Sequence, residues 1–308
     1  MTHSVVICTR NRADDLAACL GSLAVQTRVP DEVVIVDASD DDRAERRARA
    51  WAGVAPVAAV RVLRAAPGLT RQRNIGVRAA TGDVVTFLDD DVVLERQYAA
   101  TILALFEVDP GLGGAEGTVA QAPLRGRARL ANALRRVFLM DAFGRRHRMQ
   151  RSGIPLVGAW PAGVQLVDVL SGCNMSYRRE VLAAIAFDEW YAGYGLGEDM
   201  DFSYRVARRW RLAQTPRARL VHNHSEVARD RRPTFIEMAR VNHYYFVRKN
   251  LPPGPLTWLC YAWSELGQLL AVVKTGDPAS IAACWRGWRR VLAMRAPARG
   301  ALGEEATT

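Results

Sequence analysis

Short apolar runs alternate with helix-spaced segments through the first third of the chain. Ser4-Val5-Val6-Ile7-Cys8-Thr9 predicts a buried strand, and Asp14-Asp15 opens an amphipathic helix through Leu16, Leu20 and Leu23. Val33-Val34-Ile35-Val36 predicts a second strand ending in Asp37, and Arg43 to Trp51 a helix. Val57 to Leu63 reads as a weaker strand, and Thr70 to Ala80 as a helix closed by Thr81-Gly82. Asp83-Val84-Val85-Thr86-Phe87-Leu88 then forms a strand buried on both faces, ending in three consecutive acids, Asp89, Asp90 and Asp91. This order predicts an α/β fold with a mainly parallel central sheet. Ligands of such sheets collect beyond the carboxyl ends of the strands, where the acids lie.

Beyond residue 92 the pattern loosens. Tyr98 to Phe106 predicts a helix and Gly117 to Ala122 a strand. Leu124 to Arg151 is strongly basic, with Leu130, Leu134, Val137, Phe138 and Met140 at near-helical spacing. That is either a solvated helix with a buried stripe or a surface for an anionic membrane or phosphorylated acceptor. Val167 to Leu170 reads as a strand and Arg178 to Ala184 as a short helix. A loop with Gly193, Gly195 and Gly197 leads into a helix striped by Phe202, Val206 and Trp210. Asp199 and Asp201 fall at its start, where exposed amides and the dipole stabilise acids. Arg219 to His224 reads as a strand, so His222 and His224 share a face.

After the break at Leu251 to Pro255, Leu256 to Val273 is apolar and aromatic but carries Glu265 and Gln268. That argues for a helix at an interface or packed on the domain, rather than a membrane span. Ile281 to Met294 sets Trp285 and Trp288 beside Arg286, Arg289 and Arg290, a membrane-surface composition. The division expected is a catalytic unit 1–250 (halves 1–92 and 93–250), a helical extension 251–296 and a disordered tail 297–308.

A net charge of +10 over 308 residues suits phosphates, nucleic acid or an anionic membrane. Residues 125 to 151 hold only Phe138 and Phe143 as aromatics, so nucleic acid is not the expected partner. Five scattered cysteines and an N-terminus that runs straight into a strand make the cytoplasm, with the inner membrane face, the expected location. No Gly-x-Gly-x-x-Gly follows a strand, and no Walker loop occurs. The three adjacent carboxylates repel one another and call for a cation; Mg2+ or Mn2+ suits oxygen ligands.

Five stretches in order carry a resemblance. They are Val6-Ile7-Cys8-Thr9-Arg10-Asn11-Arg12, Ile35-Val36-Asp37-Ala38-Ser39, Arg73-Asn74-Ile75-Gly76, Leu88-Asp89-Asp90-Asp91 and Gly197-Glu198-Asp199-Met200-Asp201-Phe202. With them, residues 4 to 250 resemble the inverting family 2 glycosyltransferases of GT-A fold, a Rossmann-like sandwich. The resemblance implies a nucleotide-diphosphate sugar donor, a divalent cation, and a glycan, lipid-linked or small-molecule hydroxyl acceptor. It implies Asp199 as general base, with Asp91, Asp89 and one of His222 and His224 toward the metal. Thr9, Arg10, Arg12, Asp37, Arg71, Arg73, Asn74, Asp89 and Asp90 would line the nucleotide. Gly172, Cys173, Asn174, Trp190 and Glu198 would shape the sugar pocket. Ala38 departs from the polar residue common after the strand-two aspartate. A retaining GT-A enzyme is the near alternative. A sugar nucleotidyltransferase would bring a glycine-rich basic loop after the first strand, which this chain lacks. A basic nucleic-acid- or membrane-binding protein without catalysis is the alternative of another class.

Overall fold

The computed structural model describes residues 1–120, 125–144, 147–158, 161–223 and 232–294. The first half alternates as the pattern predicts: β1 (His3–Thr9), α1 (Ala13–Ala24), β2 (Glu32–Asp37), α2 (Arg43–Ala52), β3 (Ala59–Arg64), α3 (Leu69–Ala79), β4 (Val84–Asp89). Then come β5 (Val92–Leu94), α4 (Tyr98–Val108), β6 (Leu112–Val119), α5 (Arg127–Val137), β7 (Ala142–Gly144), β8 (Arg148–Met149) and β9 (Pro155–Gly158). The rest is β10 (Gln165–Val167), β11 (Met175–Arg178), α6 (Arg179–Ala184), α7 (Glu198–Ala207), β12 (Arg211–His222), α8 (Arg232–Asn250), α9 (Pro255–Val273) and α10 (Pro278–Ala293).

Among the described residues, the main sheet runs β10-β12-β6-β11-β4-β1-β2-β3, with β5 paired to β12. β3, β2, β1 and β4 are parallel neighbours, and β12 is parallel to β6. β11 enters antiparallel between β4 and β6. β7, β9 and β8 form a small second sheet. Successive strand residues point to opposite faces, and both faces are covered. Val5, Ile7, Val33 and Ile35 pack with Leu16, Leu20 and Tyr98 on one side. Val6, Val34, Val36 and Phe87 pack with Tyr177, Phe187, Phe202 and Val206 on the other.

Three expectations are corrected. The strand expected at 117–122 begins earlier, running over Leu112–Val119 and taking in the glycine-rich stretch, while residues 121 and 122 lie outside the described residues. Neighbours press so close there that a Cβ at Gly113 would collide with Trp210, and one at Gly117 with the Ala218 carbonyl and the Tyr98 ring. The strand expected at 167–170 is shifted to Gln165–Val167. Of the two readings of the basic segment, the one with a buried stripe does not hold for α5, which buries no residue and leaves Leu130, Leu134 and Val137 exposed. Only the following Phe138 and Met140 pack inward, against Gly267 of α9. No helix among the described residues is long and apolar enough to cross a membrane.

Candidate active site

Strand register gathers the polar ends of the parallel strands on one rim. Thr9 pairs with Asp37, and Cys8 with Asp89. The chain leaves β1 through Asn11, at φ 57°, a left-handed conformation that asparagine tolerates. Asn11 ties this turn to the one after β2: its Nδ2 donates to Asp40 (2.7 Å) and its backbone N–H to Ser39 Oγ (2.8 Å).

The acid triplet is held by groups from three elements. Asp90 is buried and accepts from Thr9 Oγ1 (2.7 Å) and Arg12 Nη1 (3.0 Å). Burial pushes its carboxyl up to about 7 against the pull of Arg12. Arg12 Nη1 also lies 3.7 Å from Asp91 Oδ2. His222 arrives through the β12–β5 register, which sets it opposite Val92, and Asn223 N–H donates to the Asp91 carbonyl at 2.9 Å. Its Nε2 then lies 2.9 Å from Asp91 Oδ1 and 3.8 Å from Asp89 Oδ2. Burial alone would lower the His222 pKa, but hydrogen bonding to Asp91 reverses this and carries it to about 10. One ligand atom each from Asp89, Asp91 and His222 lie within 4.8 Å of one another.

A second cluster adjoins the first. Arg73 on α3 is buried, pairs with Glu198, and brings Nη2 to 3.5 Å from Asp89. The same Nη2 donates to the Gly172 carbonyl at 3.0 Å. Burial works against the guanidinium charge, but Glu198 and Asp89 outweigh it, so Arg73 stays protonated. Burial raises the Glu198 pKa in turn. Asp199 Oδ2 accepts from Gly172 N–H at 2.8 Å, and Oδ1 from Met200 N–H at 2.8 Å. A Cβ at 172 would be tight, 3.1 Å from both Arg73 Nη2 and Asp199, so glycine lets the two side chains close on this residue. Gly197, at φ 84°, starts α7 and places Asp199 at the positive end of its dipole. The loop is further tied down where Asp89 N–H donates to the Cys173 carbonyl (3.2 Å) and Asn174 Oδ1 accepts from Gly117 N–H (2.8 Å).

The remaining expected residues divide. Asp37 is fully buried at the same rim, accepting from Ser39 N–H and from Arg64 Nη1, both at 2.8 Å. Arg10 lies exposed, 3.7 Å from Asp40, and Arg71 is exposed at the start of α3. Asn74 spends its amide on the Phe187 backbone and on Glu189, so it orders that loop. Trp190 stacks on Tyr245 of α8 at 3.6 Å between centroids. Asp201 turns away, locked to Arg205, Lys249 and Asn250. His224 lies outside the described residues. Sequence reasoning missed Arg64, the partner of Asp37, and the buried pair Glu116 and His147, whose ring nitrogen lies 2.8 Å from the carboxylate. An acid inside a glycine-rich strand was the available signal for Glu116.

The sequence profile described as glycosyl transferase family 2 matches residues 4–185. An uncharacterised glycosyltransferase of Escherichia coli, YibD, is 34% identical over 108 residues, 34% of this chain and 31% of that protein. The glucosyl-dolichyl phosphate glucuronosyltransferase of Haloferax volcanii is 30% identical over 124 residues, 39% of this chain and 38% of that one. The matched stretch thus spans about a third of these relatives' length. The fold is similar to that of the mannosyltransferase PcManGT from Pyrobaculum calidifontis, solved with GDP-Man and Mn2+ (TM-score 0.56, 18% identity, 94% of this chain and 80% of that one). It is also similar to GalNAc-T7 solved with UDP, GalNAc and Mn2+ (TM-score 0.60, 17% identity, 87% of this chain and 54% of that one). With its GT-A sandwich and a profile match across more than half its length, the chain belongs to glycosyl transferase family 2.

Proposed function

We propose that the enzyme moves a sugar from a nucleoside-diphosphate donor to an acceptor hydroxyl with inversion at the anomeric carbon, Asp199 acting as general base. The observation that carries this reading is the shared hold on Gly172. Asp199 takes its N–H, while Arg73, which also reaches Asp89, takes its carbonyl. This contact supports reading Asp199 and the acid triplet as parts of one site.

Two carboxylates and an imidazole converging within 4.8 Å fit a hard divalent cation, and the imidazole favours Mn2+ over Mg2+. Asp89, Asp91 and His222 would hold it, where it supplies charge neutralisation for the departing diphosphate. Arg12 and Arg73 flank the acids with guanidinium forks suited to phosphate oxygens, and the exposed Arg10 and Arg71 can reach in from the rim. Thr9, Asp37 and Asp90 line the nucleoside side. Asp199 accepts the proton of the incoming hydroxyl as that oxygen bonds the anomeric carbon opposite the leaving group. Gly172, Cys173, Asn174, Glu198 and Trp190 shape the space for the sugars. A screen of nucleotide sugars for thermal stabilisation with Mn2+ identifies the donor. Proton NMR of the product then reads the anomer: inversion supports the reading, and retention contradicts it.

A surface reading accompanies the chemical one, because α9 is built inside out. Leu256, Leu259, Trp263, Leu266, Leu270 and Val273, at alternating spacings of three and four, are all exposed. Thr257, Ser264 and Glu265 face inward, where Glu265 meets His243 (2.9 Å) and Trp288 Nε1 (2.7 Å). The exposed stripe of α5 adjoins it, with Trp263 Nε1 donating to the Val137 carbonyl at 2.9 Å. Exposed arginines 127, 129 and 136 on α5 and 286, 289 and 290 on α10 supply positive charge. Apolar residues turned outward among arginines suit the cytoplasmic face of an anionic membrane. Residues 251–296 are then a membrane-seating extension of a catalytic unit ending near residue 250. A lipid-linked acceptor fits that placement, as does the dolichyl phosphate in the Haloferax relative's name.

A further inference from the structure

Beside the Gly172 bridge lies a cavity of whose lining the proposed chemistry uses only Asn174. It is a small, partly open cavity of about 80 Å³ between β6 and β12 beside the small sheet. Its polar lining is Glu116, Thr118, His147, Ser171, Asn174 and Gln214, and Val157 closes one wall.

Glu116 joins this cavity to the site. Its Oε2 accepts from Ser171 N–H at 2.7 Å, and Asp199 Oδ2 accepts from the next amide, Gly172 N–H, at 2.8 Å. Two carboxylates thus hold consecutive amides of one loop, one from the cavity and one from the base position. Glu116 Oε1 lies 2.8 Å from His147 Nδ1, and the same nitrogen is 3.3 Å from the Val169 carbonyl. Both neighbours are acceptors, so Nδ1 carries the proton and the ring orientation is fixed, with Nε2 as the remaining polar edge. Burial lowers the His147 pKa, and Glu116 more than reverses this, with the charge of Asp199 adding to the effect. A carboxylate buried within a central strand is costly unless partnered, and Glu116 has its partners in Ser171 N–H and His147.

We propose that this cavity is a sugar-hydroxyl subsite in which His147 binds the acceptor ring beside Asp199 and Glu116 positions His147. The inference rests on the glycosyl-transfer reading and names where the acceptor is held. A polyol ring suits it, because hydroxyls can both donate to and accept from the imidazole, amide and hydroxyl groups lining the walls.

The test uses the full chain with Mn2+ and UDP or GDP, and saturation-transfer NMR on a panel of methyl hexopyranosides. At least one glycoside is expected to give signals with the wild type. His147→Asn is expected to weaken its binding about tenfold, the scale of one lost hydrogen bond. Glu116→Gln, which keeps an acceptor for Ser171 N–H, is expected to weaken it in the same direction, and Val157→Phe to block it by filling the cavity. Thermal stabilisation by UDP or GDP with Mn2+ is expected to stay unchanged in all three. Stabilisation by UDP-glucose or GDP-mannose that falls selectively in the variants would assign the cavity to the donor sugar and overturn the proposal. No glycoside bound by the wild type, or signals equal in all variants, would overturn it too. Loss of nucleotide stabilisation in the wild type itself would instead remove the glycosyl-transfer reading, and this inference with it.

Discussion

Arg73 and Asp199 grip opposite ends of one residue. Arg73 Nη2 donates to the Gly172 carbonyl at 3.0 Å, and Asp199 Oδ2 accepts the Gly172 N–H at 2.8 Å. Arg73 comes from the middle of α3 and Asp199 from the first turn of α7, so the glycine fixes two helices to one loop. Because Arg73 also pairs with Glu198 and approaches Asp89, the proposed base and the proposed metal-side acids share one rigid reference.

That geometry separates binding from chemistry at Asp199. Asn in its place keeps one oxygen that can accept the Gly172 amide, gives up the acceptor facing Met200, and is no base. Asp199→Asn is expected to keep nucleotide and Mn2+ affinity while turnover falls at least about a hundredfold. Single-turnover rates beside a nucleotide titration measure both. Full turnover in the variant would move the base elsewhere.

Removing Arg73 exposes the opposite dependence. Arg73→Met leaves Glu198 and Asp89 without their buried cation and is expected to cost about 3–5 kcal/mol of stability. Adding Glu198→Gln is expected to recover part of that loss in urea melts. Additive losses in the double variant would show that the two residues are not coupled.

A pH dependence follows from His3, buried between β1 and β4 with Nε2 2.8 Å from Thr86 Oγ1. Burial, then the nearby Arg28 charge, lower its pKa from 6.5 to about 4. The folded state therefore holds the ring neutral while the unfolded chain takes up a proton. Its contribution is complete above pH 6.5 and is lost as pH falls toward 4, up to about 3 kcal/mol in total. His3→Gln is expected to flatten the stability profile across this window by that amount, and parallel profiles would deny His3 the role.

The outward stripe of α9 gives a membrane test. Leu259→Asp with Leu266→Asp changes only exposed positions. It is expected to leave the melting temperature within a few degrees and to reduce co-sedimentation with anionic phosphatidylserine vesicles severalfold. Equal pelleting would leave the stripe as an ordinary surface.

The parallel half of the fold was legible in the sequence because its strands are continuous apolar runs ending in charged residues. Val33 to Asp37 and Val84 to Asp91 state both burial and strand end. The second half was legible only where helices carry a stripe, as with Phe202 and Val206. β6 was hidden because Gly113, Gly114 and Gly117 break its apolar pattern, and the reason for each is the neighbour pressed against it. α5 and α9 carried apolar periodicity, but periodicity tells which residues share a face, not whether that face turns in or out. At the rim, Asp37, Asp89 and Asp199 were found by type and position. Arg64, Glu116 and His147 were not, because a charge pair across strands far apart in sequence leaves no local pattern.

The central claim is that the strand-end acids and Asp199 form one site with separate tasks. Electron paramagnetic resonance of Mn2+ titrated with UDP or GDP tests it directly, on the wild type, Asp91→Ala and Asp199→Asn. The account predicts nucleotide-dependent Mn2+ binding in the wild type, its loss in Asp91→Ala, and its retention in an Asp199→Asn protein that no longer turns over. Unchanged Mn2+ binding in Asp91→Ala, or its loss in Asp199→Asn, would contradict the account.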